Sequence, residues 1–312
     1  MVEAPLCPIT GEPAIRRVQW VSADLLADLW RYQFRVDARP SFRGVKRFGL
    51  WQSPTGLHFF DPMLEGDAAF YGRLYRTIGE RRPPANGQYR GDCNLAAKYV
   101  ADGDRVLDVG CGFGAFRHVV PKARYVGLDP HFAAEAREDW VRAETLPEHL
   151  HDNAAAYDAA CAFQVLEHVA RPVEMLRDMA RAVRPGGKVI VGVPHVPSAH
   201  TRIPNFLING PPHHLTWWTR RALVVAAQRA GLVNTRVEVA PWTRVDSIIY
   251  WIDRCSWVRD QGLHYRHSWS WHAATMASFL AGFTMSKLRP VPRPPADDKG
   301  AALLLVARRP GS

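Results

Sequence analysis

Residues 105–129, RVLDVGCGFGAFRHVVPKARYVGLD, constrain this chain more than any other stretch. A short apolar run, Val106–Leu107, ends at Asp108, and glycines follow at alternate positions, Gly110, Gly112 and Gly114. A second apolar run, Tyr125–Leu128, closes on Asp129. A strand that runs into a glycine turn lets backbone N–H groups and a helix start approach a ligand closely. An acid closing the next strand, about 20 residues on, suits the two hydroxyls of a ribose. The pattern predicts a nucleoside-binding βαβ unit. It departs from the dinucleotide spacing G-x-G-x-x-G, and Asp108, two residues before the first glycine, would repel a pyrophosphate while attracting an ammonium or a sulfonium. Taken alone, the turn also reads as a tight bend that Asp108 merely caps.

Strand and helix patterns alternate on both sides of this unit as in a doubly wound sheet. Strands are expected at 105–109, 124–129, 140–144, Tyr157–Phe163, Lys188–Val193, 233–239 and Ala302–Val306, with the last two elements forming an antiparallel pair. Helices are expected at 114–120, 131–138, 172–183 and 219–230, and Arg184-Pro185-Gly186-Gly187 is a stop and turn before the fifth strand. Upstream, Val21–Tyr32 has helical spacing, Trp51 and Leu57–Phe60 read as short strands, and Phe70–Tyr75 sets aromatics at helical intervals. Arg81–Pro84 marks a linker, followed by a helix at Asn94–Tyr99. At 312 residues and 47% hydrophobic content, the chain can bury a sizeable core. Its formal charge of +10 leaves an anionic partner open, but the arginines are spread without a block. Five cysteines, odd in number and far apart, argue against a disulfide framework. No apolar leader and no run of 18 apolar residues is present, so a cytoplasmic chain without a transmembrane segment is expected.

A second block, YDAACAFQVLEHVARPVEMLRDMARAVRPGGKVIVGVP at Tyr157–Pro194, sets strand, V-L-E-H-V, helix, R-P-G-G, strand and proline about 50 residues beyond the glycine turn. With D-V-G-C-G-F-G, it resembles the class I S-adenosylmethionine-dependent methyltransferases over roughly residues 68–240 plus the last strand. The resemblance implies an α/β fold, a doubly wound, seven-stranded Rossmann-like sheet, and S-adenosylmethionine as cofactor. It assigns Asp108, Gly110 and Gly112 to the methionyl end and Asp129 to the ribose, with His131 or Phe132 over the adenine and Cys111 and Pro130 among the cofactor-binding residues. Ala143 and Glu144 follow the third strand, where Arg142 replaces the family's usual aspartate. Phe163 and Gln164 face the cofactor's middle. Glu167 and His168 lie one turn further, either at the mouth or bracing the next helix.

Two turns in residues 1–66, Cys7-Pro-Ile-Thr-Gly11 and Gln52-Ser-Pro-Thr-Gly56, have the shape of the zinc knuckle C-P-x-C-G. They resemble the zinc-ribbon head of bacterial sugar and small-molecule methyltransferases. Only Cys7 of the four expected thiols is present, so no metal is expected there. The division is thus 1–66 as a degenerate head and 67–312 as the methyltransferase domain. Residues 241–299, rich in tryptophan, form an insertion before the last strand, read as a cap over the acceptor, an oligomer interface or a peripheral membrane contact.

The acceptor side rests on the loop 194–219, which holds His195, His200, His213 and His214. Histidine can take a proton near neutrality, so His214 or His213 is the candidate base, with loop bracing as the alternative role. No histidine spacing here defines a metal site. The expected function is methyl transfer to a small-molecule or sugar-containing acceptor, at oxygen, with a lipid-linked glycan possible if the insertion meets a membrane. A nucleic-acid methyltransferase is disfavoured, because Ala162-Phe-Gln-Val165 stands where an N-P-P-Y motif would be. A non-catalytic cofactor-binding scaffold is the third reading, and the oligomeric state is left open.

Overall fold

The computed structural model describes residues 3–79, 90–131, 139–258, 262–295 and 300–311. The N-terminal section contains β1 (Arg16–Ser22), α1 (Ala23–Phe34), β2 (Arg47–Gln52) and β3 (His58–Asp61). Helix α1 starts where the Ser22 hydroxyl accepts from the Leu25 amide, and buries Leu25, Leu26, Leu29 and Trp30. It ends at Arg35 in the left-handed conformation, φ 57°. The chain then passes through α2 (Ala68–Gly79) and α3 (Gly91–Ala96) into the main sheet.

That sheet takes β4 (Arg105–Val109), β5 (Arg124–Leu128), β6 (Val141–Arg142), β7 (Tyr157–Phe163) and β8 (Val183–Pro194), then β10 (Val233–Val239) and β11 (Ala302–Arg308). Their order is β10-β11-β8-β7-β4-β5-β6, parallel except for β11, which runs antiparallel to both neighbours. It is the expected seven-stranded Rossmann-like sheet. Central strands carry small or branched side chains, with Ala159, Ala160, Cys161, Ala162, Val189, Ile190 and Val191 fully buried, because helices cover both faces. The covering helices include α4 (Leu146–Asn153), α5 (Pro172–Ala182) and α7 (Arg220–Arg229), and the short α6 (Ala199–Arg202) lies in the loop after β8.

Three local features differ from the sequence expectation. Residues 112–119 form successive turns rather than a helix, with left-handed Gly112 and Gly114 at one end and Pro121 just beyond the other. Arg184–Gly187 does not precede the fifth strand but bulges within it: Val183 pairs with Tyr157, yet Lys188 already pairs with Ala159. The boundary at residue 66 is also less clean than the pattern implied. Strand β9 (Thr216–Trp217), from the loop after β8, pairs with β3 and completes the sheet β1-β2-β3-β9. Phe70, Leu74, Leu207, Trp217 and Tyr265 share one core with α1 and β2. The helix expected at 131–138 lies outside the described residues from 132 onward.

The insertion is a helical hairpin. Helix α8 (Arg244–Cys255) opens on a capping box of Thr243 and Asp246, and α9 (Trp269–Leu288) packs on it where Gly282 lets the backbones meet. A methyl group at Gly282 would stand 2.6 Å from the Ile252 amide nitrogen. The outward row of α9 is apolar too: Trp269, Met276, Leu280 and Leu288 are 65–90% exposed. Among the described residues no helix is long and apolar enough to cross a membrane.

Candidate active site

The glycine turn after β4 closes over the end of β5. The amides of Gly110 and Cys111 both donate to the Leu128 carbonyl, at 2.7 and 3.0 Å. Gly110 sits at φ 68°, and a Cβ there would stand 2.6 Å from the side chain of Val165. Only glycine allows this approach. The Asp129 carboxylate, 2% exposed, ties the turn to the next segment by accepting from the Gly112 amide (3.0 Å) and the His131 amide (2.9 Å).

A cleft of about 500 Å³ opens above this turn. Gly110, Asp129, Pro130, His131, Glu144 and Gln164, all cofactor candidates from the sequence, line it together with Glu65, Tyr71 and Tyr75 from α2 and the chain before it. Tyr71 stacks on His131, ring centroids 5.0 Å apart at 19°. The remaining cofactor candidates stand behind the wall. Asp108 is buried, its Oδ2 accepting from the Tyr125 hydroxyl at 2.5 Å, and burial pushes its carboxyl up to about 7. Cys111 lies under the turn against Gly127, and Ala143 is exposed outside the cleft lining. Gly112 contributes through its hydrogen bond to Asp129 rather than through the lining. Phe132 is outside the described residues.

Glu144, beside Arg142 at 3.8 Å, is also held by His149 Nδ1 at 2.9 Å. Gln164, at φ 58°, donates from Nε2 to Asp92 Oδ2 (3.1 Å). Asp92 in turn receives both Nε and Nη2 of Arg90 at 3.0 Å. Burial opposes ionisation of Asp92, yet the Arg90 guanidinium and the hydrogen bonds hold its carboxyl below the ordinary range. This pair, with Asp92 buried and Arg90 partly exposed, is invisible as a motif and anchors the end of β7 beside which Gln164 sits.

Part of the cleft wall is imidazole. His168 follows the turn after β7 and His213 lies in the loop after β8; the Leu215 amide joins the two segments by donating to the Glu167 carbonyl at 2.8 Å. His168 and His213 line the cleft, with ring centroids 4.3 Å apart, and His214 stacks behind His213 at 4.7 Å. Burial lowers His168 to about 4 against the carbonyls of His213 and Gln164, and holds His213 and His214 well below the ordinary histidine range. His214 therefore does not face the cleft, and of the two candidate bases only His213 does. His195 is held by the Gly300 carbonyl at 3.0 Å, and His200 borders a separate cavity beside Arg90 and Thr243. No described residue of 241–299 lines the cleft.

The sequence left Glu167 either at the mouth or bracing the next helix, and the structure keeps it out of the cleft lining. It is fully buried, and neither carboxylate oxygen has a hydrogen-bond partner among the described residues. Burial raises it to about 8, against weaker opposing pulls from its own amide and Arg90. Its Oε1 lies 3.9 Å from Nε2 of both His168 and His214. The adjacency could not be read from spacing, since 45 residues separate His168 from His213.

The residues present fit S-adenosylmethionine: the Gly110 cradle excludes a side chain, Asp129 can meet a ribose, and Glu65, Asp129, Glu144, Glu174 and Asp178 against a single Arg171 make the lining favourable to a sulfonium. A family profile described as a methyltransferase domain matches residues 78–237. Ubiquinone biosynthesis O-methyltransferase of Xanthomonas oryzae pv. oryzae is 29% identical over 155 residues, 44% of this chain and 63% of that protein. The Escherichia coli O157:H7 protein of that name is 35% identical over 114 residues, 30% and 47% of the respective chains. The chain thus spans less than two thirds of the length of these curated relatives. A Thermotoga maritima S-adenosylmethionine-dependent methyltransferase, described as a possible histamine N-methyltransferase, superposes over 76% of this chain and 98% of its own, with a TM-score of 0.47 and 16% identity. The chain belongs to the S-adenosylmethionine-dependent methyltransferase family.

Proposed function

We propose that this protein transfers the cofactor's methyl group to a hydroxyl of a small molecule. The observation that carries the reading is the cleft itself, with a glycine-and-aspartate cofactor side facing a wall of uncharged imidazoles, His168 and His213. The cofactor supplies an electrophilic methyl carbon on a sulfonium. The chain's part is alignment: the acceptor oxygen must lie in line with the carbon–sulfur bond. A hydroxyl held there would give up its proton on the side of the imidazole wall, where His168 and His213 stand. The oxygen preference draws support from the curated relatives, which are named as O-methyltransferases. Tyr71, Tyr75, Val169 and Met175 give the cleft an apolar, aromatic side suited to a ring-bearing acceptor. A sugar or glycan acceptor is a narrower version of the same proposal. The acidic lining argues against nucleic acid, whose phosphates it would repel.

The head and the insertion take their roles within this proposal. We read the head as a former metal knuckle: the Ile9 amide still donates to Cys7 Sγ at 3.4 Å, and Cys7, Ile9, Trp51 and Leu57 now share an apolar cluster. The α9 face, bracketed by Arg266 at one end and Lys287, Arg289 and Arg293 at the other, is read as a contact for an anionic lipid surface. Methyl transfer from labelled cofactor to a panel of phenols, sugars and amines tests the reading. Labelled phenol ethers are expected, and labelling confined to amines would overturn the oxygen assignment.

A further inference from the structure

The cluster of Glu167, His168, His213 and His214 is more organised than proton transfer requires. The three histidines each bring one ring nitrogen into a group whose members all lie within 4.8 Å of one another. Two of the rings are already oriented by the backbone. His168 Nδ1 pairs with the His213 carbonyl at 2.5 Å, and His213 Nδ1 pairs with the Ile208 carbonyl at 3.1 Å. A carbonyl only accepts, so in the neutral rings each Nδ1 carries the proton and Nε2 is the acceptor nitrogen. This is the arrangement by which an outer hydrogen bond fixes the tautomer of a metal-ligating histidine.

The carboxylate of Glu167 supplies the second, independent observation. It is fully buried, aimed at Nε2 of His168 and of His214, and 3.9 Å from each is too far for a hydrogen bond. A buried carboxylate with no partner is costly and is ordinarily paired or bound to a metal. One positive centre between it and the imidazoles of His168 and His214 would give the buried carboxylate a partner.

We propose that Glu167, His168, His213 and His214 bind a divalent transition cation at the acceptor wall of the cleft. Three imidazole nitrogens and one carboxylate suit zinc, cobalt, manganese or iron, whereas magnesium and calcium prefer sets made of oxygen. Bonds of about 2.0–2.2 Å require the ligand atoms to draw in by roughly 1 Å from their present spread. His168 and His213 line the cleft, so the cation would meet the acceptor hydroxyl and make it more acidic. That role rests on the methyl-transfer reading: with the imidazoles engaged as ligands, a hydroxyl acidified by the cation would release its proton to water before its oxygen takes the methyl carbon.

The test uses the full chain after dialysis against a chelator. Titration with Co²⁺ followed by its visible d–d bands, and calorimetry with Zn²⁺ and with Mg²⁺, are run beside S-adenosylhomocysteine binding. One Co²⁺ or Zn²⁺ per chain, weak Mg²⁺ binding, and a loss of at least ten-fold in Zn²⁺ affinity in both Glu167→Gln and His214→Ala are expected, with cofactor-product affinity unchanged. Wild-type protein that binds S-adenosylhomocysteine but no stoichiometric Co²⁺ or Zn²⁺ overturns the metal site and leaves methyl transfer standing. Metal binding without S-adenosylhomocysteine binding does the reverse. Undiminished Zn²⁺ affinity in both variants, or thiolate charge-transfer bands with Co²⁺, places the metal elsewhere and overturns the assignment. Should those variants fail to fold, zinc-edge absorption of the wild-type protein decides: three imidazoles with oxygen support the site, and sulfur in the shell refutes it.

Discussion

Replacing Gly110 with alanine probes the cradle on which the cofactor assignment depends. Its φ of 68° is left-handed, and a Cβ would stand 2.6 and 3.2 Å from the two Val165 methyl carbons. Left-handed backbone costs an L-residue about 1–2 kcal/mol. Forcing a methyl into a packed contact adds about 1–3 kcal/mol. Gly110→Ala is therefore expected to lose roughly 2–5 kcal/mol of stability, a fall in melting temperature on the order of 4–10 °C. Because Gly110 also lines the cleft, S-adenosylhomocysteine affinity should fall about ten-fold or more. The two costs separate in a double-variant cycle. Adding Val165→Ala removes the collision and leaves the backbone strain, so the cycle should show a favourable coupling of about 1–3 kcal/mol. Denaturant unfolding and titration calorimetry on the four proteins give the numbers. A Gly110→Ala variant within about 0.5 kcal/mol of wild type, with no coupling to Val165 and unchanged affinity, would refute the reasoning.

Two further outcomes follow from other parts of the molecule. The Asp108 carboxyl, raised by burial from 3.8 to about 7, gives stability that is fully present below pH 3.8 and lost as pH rises through 7, by roughly 4 kcal/mol at most. Asp108→Asn should thus match wild type near pH 4 and exceed it at pH 8 in chemical denaturation, and equal pH slopes for the two proteins would count against the buried-acid account. On α9, Leu280 is 74% exposed, so Leu280→Glu should change stability by less than about 0.5 kcal/mol while sharply reducing sedimentation with anionic vesicles. Wild-type protein that ignores such vesicles removes the lipid reading of that face.

The parts of the fold that could be read from the sequence are those where local pattern and tertiary role coincide. Tyr157–Phe163 and Val233–Val239 form strands with the expected bounds, because a buried central strand and an alternating edge strand each leave a clear period. The seven-stranded Rossmann-like sheet followed from the family block, and the candidates Gly110, Asp129, Pro130, Glu144 and Gln164 lie at the cleft. What stayed hidden depends on contacts distant in sequence. Strand β9 is two residues long and exists only by pairing with β3. Residues 114–120 had a helical pattern, but the left-handed glycines and Pro121 favour turns over 112–119. Arg90–Asp92 and Glu167 carry no motif, and their roles come from burial, which a linear reading does not weigh. Of the histidine pair, His214 looked as apt as His213 until the fold turned one toward Glu167 and the other toward the cleft.

The central claim is that the cleft over the glycine turn holds S-adenosylmethionine through Asp129. Titration calorimetry of wild-type and Asp129→Ala protein with S-adenosylhomocysteine tests it most directly. The account predicts one site per chain in the wild type and a loss of at least ten-fold in affinity in the variant, since Asp129 both faces the ligand and holds the Gly112 and His131 amides. No binding to the wild-type chain, or equal binding to both proteins, would contradict it.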